Sequence, residues 1–214
     1  MGENLNLASW IDTGKHRATA YQLLSFLFCQ PEKDLMHSKP IFDSLEISLS
    51  KIHSLFKNEA TALYLSMQNY SYDKILIAYS HLFLGPFKTP APPYSSVYLG
   101  KHKTLFGEET LKVMDFYRRS GLQANREAGE VPDHIAIELE FVYYLIYHQV
   151  KELEVNNLEK ASALHNIEIE FKTDHLNLWV PVFCDKILAE SQNKFYTKLG
   201  SVLKLLIKHD RPAA

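Results

Sequence analysis

Apolar residues recur in this chain with the period of an α-helix, and that spacing constrains the fold more than any other feature. Ala20, Leu23, Leu24, Leu27 and Phe28 stand at i, i+3, i+4, i+7 and i+8, which paints one stripe along a helix that must end before Pro31. Stripes of Ile135, Leu139, Val142 and Ile146, and of Phe195, Leu199, Val202 and Leu206, place helices at about 133–149 and 193–209. The same reasoning predicts helices over 72–84, 107–120 (stopped by Gly121), 156–170 and 174–190, the last starting or kinking at Pro181. Leu45, Ile47 and Leu49 alternate with polar residues as a short strand would, but no partner strand is evident, so helix is expected there too. With 214 residues, 46% of them hydrophobic, and no linker or repeat, the chain is expected to form one all-α domain over 1–214. The architecture expected is a single-domain helical bundle of about eight to ten helices with one long Pro-rich loop.

That loop is Gly85-Pro86-Phe87-Lys88-Thr89-Pro90-Ala91-Pro92-Pro93-Tyr94, whose four prolines exclude regular helix. A long irregular segment inside a compact domain is usually functional. Tyr79 and Phe83 precede it one helical turn apart, and Phe87, Tyr94 and Tyr98 lie on or after it. These rings either line a peptide groove or pack the loop onto the core.

Charge excludes some partners. A net charge of -2 and a pI near 6.5 lack the basic footprint of a nucleic-acid binder. No stretch approaches the ~20 apolar residues of a membrane span, and Met1-Gly-Glu-Asn-Leu-Asn-Leu has neither a signal peptide's basic and apolar regions nor the Ser or Thr that myristoylation wants at Asn6. Cys29 and Cys184, each in an apolar run, are expected to be buried thiols in a reducing compartment, so a cytoplasmic location is expected. The acidic run Glu152, Glu154, Glu159, Glu168, Glu170 and the basic run Lys194, Lys198, Lys204, Lys208 read as solvated faces.

From Glu127 to Glu140 the chain holds five acidic residues and no Lys or Arg in fourteen positions, around a Gly-to-Pro turn that feeds a helix. Glu130 and Asp133 there either complement the helix N-terminus or hold a partner's arginines through charge-assisted hydrogen bonds. His134 and Glu138, at i and i+4, share a spacing used by metal sites, but two donors are too few for zinc. No nucleophile elbow, phosphate loop or zincin motif is present. Binding without catalysis is therefore expected, with a metal-dependent hydrolase on His134 and Glu138 as a remote alternative. Trp179, Phe183 and Ile187 share a face and read as core, and Arg118-Arg119 lies inside a predicted helix, where it is no export signal.

In order and spacing, Tyr21-Gln-Leu-Leu24, Leu82-Phe-Leu-Gly-Pro86, Pro92-Pro-Tyr-Ser-Ser-Val-Tyr98, Leu105-Phe-Gly107, Glu130-Val-Pro-Asp-His134 and His175-Leu-Asn-Leu-Trp-Val-Pro181 resemble the TorD/DmsD family of cytoplasmic redox-enzyme maturation chaperones. The resemblance runs from residue 21 to residue 181, with Pro-Asp-His as its most specific piece. It implies an all-α fold and a partner, the twin-arginine leader of an apo-molybdoenzyme subunit of the DMSO/TMAO reductase type. That leader would be shielded until the molybdopterin is inserted, with transient contact with the Tat export machinery. The signal-peptide-binding residues it implies are Tyr79, Phe83, Phe87, Tyr94, Tyr98, Asp133 and His134, to which the acidic turn adds Glu130. Where the DmsD branch tends to place Trp, this chain has Tyr or Phe, which leaves the client open. Weak nucleotide binding is reported in the family, but without a phosphate-cradling motif no cofactor is expected. The NarJ-type nitrate reductase chaperones are the nearest rival reading, and the Pro92-to-Tyr98 segment argues against them.

Overall fold

A computed structural model describes residues 2–33, 38–85, 89–101, 105, 107–122 and 131–210. Its helices are α1 (Gly2–Leu27), α2 (Lys39–Ile52), α3 (Glu59–Met67), α4 (Tyr72–Tyr79), α5 (Ser95–Leu99), α6 (Glu108–Arg119), α7 (Ile135–Glu154), α8 (Leu158–Phe171), α9 (Asn177–Glu190) and α10 (Lys194–His209). Among the described residues there is no strand, only an isolated antiparallel bridge between Tyr94 and His134. The all-α expectation holds.

The stripes read from sequence are the ones that bury. In α10, Phe195, Leu199, Val202, Leu203 and Leu206 are fully buried, and Asn193 caps the helix by accepting the Phe195 N–H at 2.9 Å. In α2, Leu45 and Leu49 are buried while Ile47 faces solvent, so the short alternation was one side of a helix sampled at i and i+4. At the end of α6, Gly121 adopts a φ of +80°, which only glycine takes without strain, and so closes the helix where the sequence expects it.

Helix α1 lies along α7 and α2, α7 along α8, and α9 along α10. The α1–α7 approach is close: a Cβ added to Gly14 would fall 2.5 Å from Val150 Cγ2. Two helices widen into π-turns, α4 over Ser80–Leu84 and α8 over Lys172–Leu176. The second joins α8 to α9, so one continuous helical path runs from Leu158 to Glu190 and passes through Pro181 without ending. The sequence reading had placed a helix start or kink at Pro181. The helix does not start there, and a π-turn lies just upstream, ahead of the Asn177 carbonyl that a proline leaves without its N–H donor.

A buried ionic cluster staples the end of the chain to its beginning. Arg17 of α1 binds Asp210 through Nε at 2.6 Å and through Nη2 at 2.9 Å, and also pairs with Glu168 of α8. Lys172 reaches Asp210 at 2.6 Å, the Tyr21 hydroxyl donates to it at 3.0 Å, and Gln149 donates to Glu168 at 2.9 Å. Burial alone would raise the Asp210 carboxyl, but Arg17 and Lys172 outweigh it and hold its pKa far below the usual range. Glu168 therefore corrects the reading of its run as a solvated face: it falls on the buried stripe Ala161, Leu164, Glu168, Phe171. Cys29 is corrected as well, for α1 stops at Leu27 and leaves this thiol exposed, whereas Cys184 is buried.

Candidate functional site

The chain after the prolines and the chain before α7 are laced together residue by residue. Ile135 N–H donates to the Pro93 carbonyl at 2.8 Å, and Ser95 N–H to the Asp133 carbonyl at 3.0 Å. The Asp133 carboxylate takes the Ser96 N–H at 2.9 Å and the Thr110 hydroxyl at 3.1 Å, tying the starts of α5 and α6 to the turn before α7. Tyr117 of α6 adds a hydroxyl donated to the Pro132 carbonyl at 2.8 Å. His134 is the N-cap of α7, its Nδ1 accepting the Ala136 N–H at 3.1 Å, while the Tyr94 ring packs edge-on 5.2 Å away. Burial disfavours the charged imidazole and pushes its pKa down to about 4, so the ring is neutral at pH 7.

Several site residues expected from sequence thus meet, though in a different role. Asp133 is 0% exposed with its carboxylate engaged inside the protein, and His134 is buried beside it. The bonds that hold the turn occupy both oxygens of Asp133 and the Nδ1 of His134. Tyr79 and Phe83, at 4% and 2% exposure, are core residues: their rings lie 5.2 Å apart, and Phe83 packs on Tyr196 at 5.5 Å and Phe183 at 6.0 Å. Both rings pack against other helices of the core. Tyr94 and Tyr98 are only partly covered. The Tyr98 ring lies tilted against Trp179 at 5.5 Å with the Lys186 ammonium 5.4 Å from its centre, and its hydroxyl has no partner among the described residues. Phe87 and Glu130 lie outside the described residues.

Glu138 does not join His134 around a metal. It is fully buried, with one carboxylate oxygen 2.8 Å from His175 Nε2 and the other accepting Trp179 Nε1–H at 2.9 Å. Burial opposes charge on His175, but the Glu138 carboxylate prevails and lifts its pKa above the ordinary histidine value. The sequence reading missed this triad, although a signal was present: Glu138 falls on the buried stripe of Ile135, Leu139 and Val142.

Next to this triad opens a cleft of about 760 Å³ between α6, the second π-turn and the start of α9. Its apolar wall is Leu99, Leu111, Phe116 and Leu178, with Leu111 and Leu178 more than half exposed. Its polar lining is Glu109, Asp115, Glu170 and Asp174 against Lys112 and Arg119, with the His175 ring at the edge of the buried triad. An excess of carboxylates beside bare leucines suits a ligand that is both cationic and apolar.

Comparison with known proteins agrees with the motif pattern. The family model described as nitrate reductase delta subunit matches residues 52–185. The Tat proofreading chaperone DmsD of Salmonella typhi is 27% identical over 140 residues, which span 65% of this chain and 62% of that protein. The chaperone TorD of Photobacterium profundum is 34% identical over 122 residues, 57% of this chain and 55% of that protein. The chaperone TorD of Shewanella piezotolerans matches at 27% over 211 residues, covering 91% of this chain and 90% of its own length. In fold, the chain matches a crystallised protein from Archaeoglobus fulgidus described as a redox enzyme maturation protein, with a TM-score of 0.57 and 20% identity over 89% of this chain and 93% of that one. The chain therefore belongs to the nitrate reductase delta subunit family.

Proposed function

We propose that this protein is a cytoplasmic maturation chaperone that binds the twin-arginine leader of an apo-molybdoenzyme subunit of the DMSO/TMAO reductase type. It releases the leader to the Tat export machinery after cofactor insertion, and it acts by binding, without chemistry of its own. The observation that carries the reading is similarity over nearly the whole chain to a protein named chaperone TorD, supported by the match to a Tat proofreading chaperone. The geometry supports it in kind. A leader presents two guanidinium groups and then an apolar stretch, and the cleft offers carboxylates beside leucines. Tyr94 and Tyr98, partly exposed, remain proposed contacts, together with Phe87 and Glu130.

A second reading, a chaperone for a nitrate reductase, draws on the description of the family model. Calorimetric titration of the purified protein separates the two. The expected result is that a DMSO- or TMAO-reductase leader binds, while a nitrate reductase N-terminal peptide and a scrambled leader bind at least about tenfold more weakly. Preference for the nitrate reductase peptide would install the second reading, and equal binding of the scrambled leader would discard both.

A further inference from the structure

Asp133 is consumed within the fold, so a partner's arginines need carboxylates elsewhere, and the cleft beside α6 already shows how it treats a guanidinium. Arg119 of the protein's own Arg118-Arg119 pair lies there, its Cζ 5.2 Å above the Phe116 ring and its two terminal nitrogens on Glu170 at 2.8 and 2.5 Å. Arg118 beside it pairs with Asp115. The chain thus holds an internal arginine pair on two of the four carboxylates that line the cleft. These pairs are exposed, and exposed pairs contribute little to stability, so exchanging one arginine for another costs little.

Two features leave capacity for more. Asp174, four residues beyond Glu170 on the same wall, makes no ion pair among the described residues. His175, buried to 2% exposure, lines the cleft with Nε2 committed to Glu138, while no hydrogen bond among the described residues takes its Nδ1. Beside this polar strip lies the uncovered apolar rim of Leu111 and Leu178. Carboxylates, an aromatic face and leucines in one cleft complement a paired-arginine segment followed by an apolar stretch.

We propose that the leader's arginine pair docks in this cleft on Glu170 and Asp174, displacing Arg119 from Glu170, so that Arg118-Arg119 acts as a built-in competitor for the site. This rests on the leader-binding reading and assigns its polar recognition to residues other than the Asp133-His134 turn. A competitor makes a prediction that a structural arginine does not: removing it strengthens binding.

The test is calorimetry at low salt with two peptides, a twin-arginine leader with its apolar stretch and the same peptide with both arginines replaced by glutamine. Arg119→Ala is expected to tighten the leader by about threefold, the scale of an exposed ion pair. The double variant Glu170→Gln/Asp174→Asn is expected to weaken it by about tenfold or more, while the arginine-free peptide binds it as it binds wild type. Thermal melts establish that each variant is folded, and Arg119→Ala keeps the test decisive should the double variant fail to fold. Leader affinity unchanged in both variants, or an equal loss for both peptides, overturns the placement while the leader-binding reading stands. No binding of the leader to wild type overturns both.

Discussion

Asp133 Oδ2 accepts the backbone N–H of Ser96 at 2.9 Å, across 37 residues of sequence, while its other oxygen holds Thr110. One side chain thereby fixes the relative positions of α5, α6 and α7. Asp133→Ala leaves a buried N–H and a hydroxyl without their acceptor, each worth about 1–3 kcal/mol, so a stability loss of about 3 kcal/mol is expected in urea denaturation. Asp133→Asn retains one acceptor oxygen and is expected to cost about 1 kcal/mol. Both variants, assayed folded, should bind a leader within about threefold of wild type. A larger loss in folded Asp133→Asn would return this residue to the binding surface.

The cluster around Asp210 is the other place where a single side chain carries much. Arg17→Met removes the guanidinium that Glu168 and Asp210 share, leaving Lys172 and Gln149 as partial compensation. Breaking a buried pair in this way is expected to cost about 3–5 kcal/mol in equilibrium denaturation at pH 7. A loss below about 1 kcal/mol would mean that the chain end contributes little to the fold.

Two buried histidines, His134 and His175, set opposite limits on stability against pH. His134 has a folded pKa of about 4, below the ordinary value, so the unfolded chain takes up a proton that the folded one refuses as pH falls from about 6.5 to 4. Stability should drop across that window by up to about 3 kcal/mol from this residue. His134→Asn, which retains an N-cap acceptor, should flatten the drop. His175 works in the reverse sense. Its raised pKa gives stability that is full below about 6.5 and lost as pH rises through the folded value, so His175→Gln should flatten the alkaline side. Denaturant midpoints measured from pH 4 to 8 check both, and a wild-type profile that neither variant changes would refute the assignment.

Thiol labelling distinguishes the two cysteines. Cys29 is exposed at the end of α1, while burial raises the Cys184 thiol far above its ordinary pKa. Native protein should therefore react at Cys29 and take up a second equivalent only in denaturant. Two fast equivalents in the native state would mean that the α9–α10 core opens readily.

How much of this was legible beforehand divides along a physical line. Helix positions were, because a period of 3.6 residues is a local property: the stripes of Ala20 to Phe28, Ile135 to Ile146 and Phe195 to Leu206 are the buried faces observed. The segments of interest were legible too, since their order along the chain is the family pattern. What each residue does there was not, because that depends on what lies across space. Asp133 read as a cap or as a partner's contact, and the bonds it makes to Ser96 and Thr110 come from segments far away in sequence, as does the Tyr94 ring packed on His134. Tyr79 and Phe83 read as groove or, more readily, as packing, and the rings of Tyr196 and Phe183 that bury them come from other helices. Glu138 and Glu168 carried a weak local signal, a carboxylate on an apolar stripe, but their partners His175, Trp179, Arg17 and Gln149 come from other helices. The cleft has no sequence signature at all: it is space left between α6, the π-turn and α9, and a void belongs to the packing of elements and to no one of them.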